Sequence, residues 1–213
     1  MCGRFYINEN EFPGITGAAK ASPLSERFRD TLGKELSVSG EIRPMDVVPV
    51  IAPDKSGGRS VYPMLWGFSL NGSRPVINAR LETAPLKPMF REAWGRHRCI
   101  IPASAYIEWE HLTDEKGRKR TGTKYLIRPE GPESQTFLCG LYRIENALPS
   151  FVILTRPPSE QLSALHDRMP LILPERALDE WLDPSSSPDT VAGLAGLAVT
   201  GMEIDPFDER AAQ

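Results

Sequence analysis

The apolar residues of this chain fall in short runs, each closed within a few positions by turn residues, and that spacing dictates many short strands rather than long helices. Val47 to Ala52 and Ser60 to Trp66 are two such runs, split by Asp54-Lys55-Ser56-Gly57-Gly58, which reads as strand, turn and strand. Asn71-Gly72 marks another turn. Ala105 to Glu110 alternates around Tyr106, Ile107, Glu108 and Trp109, with Lys124 to Ile127 as its hairpin partner across a polar loop containing Lys116 to Arg120. Phe137 to Tyr142, Phe151 to Thr155 and Leu171 to Leu173 read as buried strands. Asn78 to Thr83 is neither clean strand nor clean helix.

Helices are fewer. Leu24, Phe28 and Leu32 share one face behind Ser22-Pro23, and Gly33 stops the pattern. Pro88 opens a second helix that Gly95 ends, Pro174 opens a third through Trp181, and Val191 to Val199 adds a strand or short helix. No internal repeat or linker divides the chain. The expectation is α+β: a single domain over residues 1–213, with a mostly antiparallel, barrel-like sheet, flanking helices and an acidic C-terminal segment from 183.

At 213 residues the chain is long enough for a sizeable core. Cys2, Cys99 and Cys139 are odd in number and form no close pair, which points to reduced thiols in the cytoplasm and to no metal site of CxxC type. No apolar run approaches the length of a membrane span. The net charge of −3 argues against a general nucleic-acid binder, but residues 1–130 hold 20 Lys and Arg against 15 Asp and Glu, while the remainder holds 5 against 13. A basic first part that attracts phosphates, with the acidic part facing away, is one reading; ordinary solvated charge is the other.

Cys2 directly follows Met1. Aminopeptidases remove Met before a small residue, and the mature chain is therefore expected to start with a cysteine. Its thiol and α-amine have reference pKa values of roughly 8.5 and 7.7–8.0, so both are partly nucleophilic near neutrality. Such a 1,2-aminothiol adds to an aldehyde through nitrogen and closes through sulfur to a thiazolidine. The simpler alternative is a small residue entering the core.

Five separated stretches then occur in a telling order: MCGRF at the start, Trp66-Gly67, INARLET from Ile77 to Thr83, RCIIPASAYIEW from Arg98 to Trp109, and LHDRMPLIL from Leu165 to Leu173. Together they resemble the SOS-response-associated peptidase family, whose members cap abasic sites in single-stranded DNA, and the resemblance covers residues 1–182. It implies Cys2 as nucleophile, Asn78 holding the cysteine and the sugar, Glu108 as general acid/base and His166 moving protons. It further implies single-stranded DNA with an abasic site as partner, contacted by Arg4, Trp66, Arg80, Thr155 and Arg168, with guanidiniums on phosphates and Trp66 stacked on a base. No metal or organic cofactor is implied, and the protein is expected to act as a monomer, joining the nucleoid when bound.

The residues themselves are compatible with these roles. A Glu shielded among Tyr106, Ile107 and Trp109 has a raised pKa suited to an acid, and His is suited to proton exchange near neutrality. As bare residue types, Glu108 also reads as a surface strand residue, Asn78 as a turn residue, His166 as structural and Trp66 as core. His97 and His111 read as surface residues. Two departures from the family stand out: Glu41-Ile42-Arg43-Pro44 replaces an Asn-containing strand, placing a carboxylate that repels phosphate unless Arg43 neutralises it, and Ser69-Leu70-Asn71-Gly72 lacks the usual Pro and Trp. Two rival functions remain open here, a thiol peptidase acting through the N-terminal cysteine and a non-catalytic single-stranded DNA-binding module.

Overall fold

Residues 2–70, 73–114, 117–131 and 135–207 are described by a computed structural model of the protein. Met1, the expected Asn71-Gly72 turn and Lys116 lie outside the described residues. Among the described residues twelve strands run in chain order: β1 Arg4–Ile7, β2 Gly40–Ile42, β3 Val47–Pro53, β4 Arg59–Trp66, β5 Asn78–Arg80, β6 Arg98–Ala103, β7 Ala105–Thr113, β8 Lys119–Pro129, β9 Thr136–Glu145, β10 Leu148–Arg156, β11 Met169–Pro170 and β12 Met202–Pro206. The α-helices are α1 Pro13–Lys20, α2 Pro23–Leu32, α3 Pro88–Arg96, α4 Glu160–Ser163, α5 Leu178–Leu182 and α6 Pro188–Ala195.

Local chemistry accounts for the helix ends. Ser22 accepts the Leu24 N–H, Pro23 opens α2, and Gly33 closes it in the left-handed region at φ 62°. Helix α3 begins at Pro88 as expected but runs through Gly95 to Arg96. The stretch after Pro174 is a 3-10 turn, Glu175–Ala177, followed by α5. The apolar run from Val191 becomes α6, capped by Ser187 on the Thr190 N–H. The expected strand at Leu171 to Leu173 is displaced: the strand is β11, and Ile172 makes an isolated bridge to Leu138.

Strands β3, β4, β10, β9 and β6 pair in a closed ring, because β10 bonds both β4 and β9 while β3 bonds β4 and β6 and β6 bonds β9. The barrel is mixed: β10 runs parallel to β4 and β5, and the other pairings are antiparallel. Ser150 and Phe151 pair with Leu65 and Trp66, and Ile153 to Thr155 pair with Asn78 to Arg80, so β5 takes over along β10 where β4 leaves. The departure is at Gly67, whose φ of 130° excludes most side chains and whose N–H donates to Phe151 O at 2.8 Å. A second sheet, in the order β12-β8-β7-β1-β2, packs on the barrel. The whole is an α+β fold with a small mixed barrel and flanking helices.

The core between the sheets explains Trp66. It is fully buried, lies parallel to Phe151 at 6.2 Å, meets Phe5 at 5.1 Å and donates Nε1–H to Ile77 O at 3.0 Å. A base cannot reach it, which corrects the stacking role. Arg98, directly before Cys99, is 2% exposed and donates to the carbonyls of Trp94, Gly95, Trp181 and Asp183. It terminates α3 and α5 together, satisfying carbonyls the helices leave orphaned. The acidic C-terminal part does not face away: Glu203 and Asp205 reach Arg128 at 2.8 and 3.0 Å, and Asp179 reaches Arg59 at 2.6 Å.

Candidate active site

Strand alternation builds the site. Tyr106 and Glu108, two positions apart on β7, point to one face, and the register of β1 sets Phe5 opposite Tyr106 on that same face. The N-terminal segment is thereby led beneath Glu108. Cys2 is fully buried, with its Sγ–H donating to Arg4 O at 3.7 Å. Burial, reinforced by the Glu108 carboxylate, pushes its thiol well above the usual range.

Asn78, placed by the handover from β4 to β5, donates Nδ2–H to Cys2 O at 2.8 Å. Its Oδ1 is buried with no hydrogen-bond partner among the described residues, and the same holds for the Tyr106 hydroxyl. Unsatisfied buried groups of this kind cost free energy unless something arrives to bond them. Tyr106 was not among the expected site residues; its place two before Glu108 on one strand face is the signal that could have found it. Burial, then the charges of Cys2 and Glu108, hold its hydroxyl protonated.

Glu108 is 4% exposed, and burial, with Asp167 adding, pushes its carboxyl up to about 8. His166 Nε2 lies 3.8 Å from Glu108 Oε2. Its Nδ1 meets both a donor, the Arg168 N–H at 3.0 Å, and an acceptor, Asp167 Oδ1 at 2.9 Å. Neutral and protonated imidazole each have a partner there, which suits a group that gains and returns a proton. Burial lowers the His166 pKa below its ordinary value. His111 is exposed at the surface as expected, but its ring meets His166 edge-on at 5.1 Å.

Two hollows share residues with this cluster. One, of about 750 Å³, has Asn78, Arg80, Lys87, Phe90 and Thr155 on its walls; the other, of about 380 Å³, has His111, Ser163, His166 and Asp167. Arg80 is exposed on the first. Thr155 is 1% exposed with its hydroxyl on Ala79 O at 3.5 Å, so it holds β5 against β10 and offers little to a ligand. Arg168 is engaged internally, forking onto Glu82 at 2.6 and 2.9 Å and donating to Thr155 O at 2.5 Å. Arg4 bonds Glu41 at 3.1 Å and Gly3 O at 2.7 Å. Of the five expected DNA contacts, Arg80 alone is an exposed side chain facing a hollow. Among the described residues no group of three or more His, Cys, Asp and Glu is arranged to hold a metal ion, and no helix is long and apolar enough to cross a membrane.

The chain is similar to known proteins in sequence and in fold. The abasic site processing protein YoqW of Bacillus subtilis (strain 168) is 39% identical over 207 residues, 91% of this chain and 86% of that protein. The abasic site processing protein YobE of the same organism is 40% identical over 126 residues, 56% of this chain and 54% of that protein. A crystal structure of a protein from Bacteroides thetaiotaomicron shares the fold, with a TM-score of 0.70 over 98% of this chain and 93% of that one at 21% identity. The family model for SOS response associated peptidase (SRAP) matches residues 1–210, and the chain therefore belongs to the SRAP family.

Proposed function

We propose that this protein processes abasic sites, capturing the ring-opened sugar aldehyde in single-stranded DNA as a thiazolidine on Cys2 once Met1 has been removed. The observation that carries the reading is the buried carboxyl of Glu108, its pKa pushed up to about 8, beside a fully buried Cys2 whose own carbonyl is held by Asn78. The aldehyde chemistry needs those parts. The Cys2 amine adds to C1′, giving a carbinolamine; Glu108, protonated near neutrality, gives its proton to the departing hydroxyl, and water leaves with formation of the imine. The thiol then adds across the C=N bond, its proton ending on nitrogen, so that aldehyde and aminothiol become thiazolidine and water. A thiol kept protonated by burial cannot act as a free thiolate, so its proton must pass through a base, and the ionised Glu108 with His166 3.8 Å away supplies that route. Asn78 Oδ1 and the Tyr106 hydroxyl are available to the hydroxyls of the opened sugar.

If sulfur fails to close the ring, the imine permits β-elimination of the 3′ phosphate, so Cys2→Ala with a free amine retains weak lyase activity. The test is to mix Met1-free protein with a single-stranded oligonucleotide holding one abasic site and follow it by denaturing gel and intact mass. The expected product is a heat-stable 1:1 adduct, with the mass of the two components less one water, absent in Cys2→Ala. No adduct from protein with a confirmed Cys2 terminus would sink the proposal and leave peptide hydrolysis as the reading to pursue.

A further inference from the structure

Three cationic side chains from separate stretches of the chain close on the single carboxylate of Glu41. Arg4 Nε on β1 lies 3.1 Å from its Oε1, Lys124 Nζ on β8 lies 2.5 Å from its Oε2, and Arg43 Nε lies 3.8 Å from Oε1. The sheet order explains how they meet. Strand β1 sits between β2 and β7, with Tyr6 opposite Glu41 and Arg4 opposite Ile107, while Lys124 is paired with Trp109 on the next strand out. All of these residues project from the sheet face away from the Tyr106 and Glu108 side.

Lys124 is further held by aromatic faces, its Nζ 3.9 Å from the Phe207 ring centroid and 5.6 Å from that of Trp109. Burial raises the Glu41 pKa, but the hydrogen bond and charge of Lys124, with the charges of Arg43 and Arg4, bring it below the ordinary carboxylate value, so Glu41 is ionised at neutral pH. Three positive charges against one leave the cluster cationic. A carboxylate and a phosphodiester present a guanidinium with the same pair of anionic oxygens, and Arg binds either through the same fork. The cluster also adjoins the site through the chain itself, since Arg4 O is the acceptor for the Cys2 thiol.

We infer that Arg43 and Lys124 extend the phosphate contact that the family resemblance already implies for Arg4, and that Glu41 occupies this three-cation site in the free protein as an internal stand-in for the phosphate. DNA must displace that carboxylate to reach Arg4, so Glu41 lowers affinity for any single strand while keeping the cations assembled. The inference takes single-stranded DNA as ligand from the function proposed above, but it does not depend on the covalent step.

The experiment is fluorescence anisotropy of a labelled single-stranded oligonucleotide without a lesion, titrated across a salt series with wild type, Glu41→Gln and, as a charge-matched control, Glu180→Gln on α5. Glu41→Gln should bind about five- to tenfold tighter than wild type, with a log K against log salt slope steeper by about 0.7, the increment for one more phosphate on a single strand. Glu180→Gln should stay within about twofold of wild type. Folded Glu41→Gln that binds no tighter than Glu180→Gln overturns the inference. Should Glu41→Gln fail to fold, Lys124→Met decides: a shallower slope and weaker binding support the site, and an unchanged slope overturns it. Tightened binding by Glu41→Gln alongside a wild type that forms no abasic-site adduct would remove the capping reaction and leave this site standing.

Discussion

At Glu108 a carboxyl pKa displaced upward from 4.5 to about 8 links function to stability. The folded state holds a proton that the unfolded chain has released, so the contribution is fully present below about pH 4.5 and is lost as pH rises through about 8. Wild type should therefore lose stability relative to Glu108→Gln between those pH values, by roughly 4 kcal/mol, in denaturant melts run at each pH. The same titration removes the acid that expels water, so adduct formation should slow above about pH 8 and should be roughly 10²- to 10⁴-fold slower in Glu108→Gln. Residue type alone left Glu108 open between a shielded acid among Tyr106, Ile107 and Trp109 and a surface strand residue; the family motif favoured the first, and the carboxyl is buried. The arginines were not legible in that way. Arg4, Arg98 and Arg168 look alike in sequence, yet Arg4 meets a carboxylate, Arg98 terminates two helices and Arg168 ties Glu82 to β10, because their partners come from distant parts of the chain.

Among the elements, the handover from β4 to β5 along β10 places Asn78 against Cys2, and it depends on Gly67. A Cβ there would lie 3.1 Å from Pro75 Cβ, in a backbone conformation that L side chains rarely adopt. Gly67→Ala should cost about 1–3 kcal/mol in denaturant unfolding and slow adduct formation through a displaced Asn78. Capped helices and alternating strands could be read from the sequence because Ser22, Pro23, Gly33 and the Tyr106/Glu108 alternation act locally. The parallel pairing of β10 could not, since Phe151 and Trp66 meet through a closure of the whole ring. Trp66 shows the same limit: a Trp beside a Gly reads equally as a stacking platform or as core, and the ring of Phe5 and Phe151 around it decides for core. Helix α1 was missed because Gly14 and Gly17 within it weaken the local helical signal.

Over the whole molecule, Arg98 ties the helical layer to the barrel, with β6 at its base and the ends of α3 and α5 at its tip. Arg98→Met keeps the bulk but orphans the carbonyls of Trp94, Trp181 and Asp183, and should lower unfolding free energy by roughly 3 kcal/mol in a urea titration. The closed ring has a kinetic consequence as well. Its seam joins Trp66 to Phe151 and Arg98 to Leu141, contacts that must wait for long loops to close, and chains dominated by such pairings fold slowly. Cys2, Asn78, Glu108 and His166 are drawn from stretches that only the finished seam brings together, so a partly folded chain keeps no more than the unassisted reaction of a bare N-terminal cysteine, and the fast, acid-assisted reaction should return during refolding no earlier than the barrel itself.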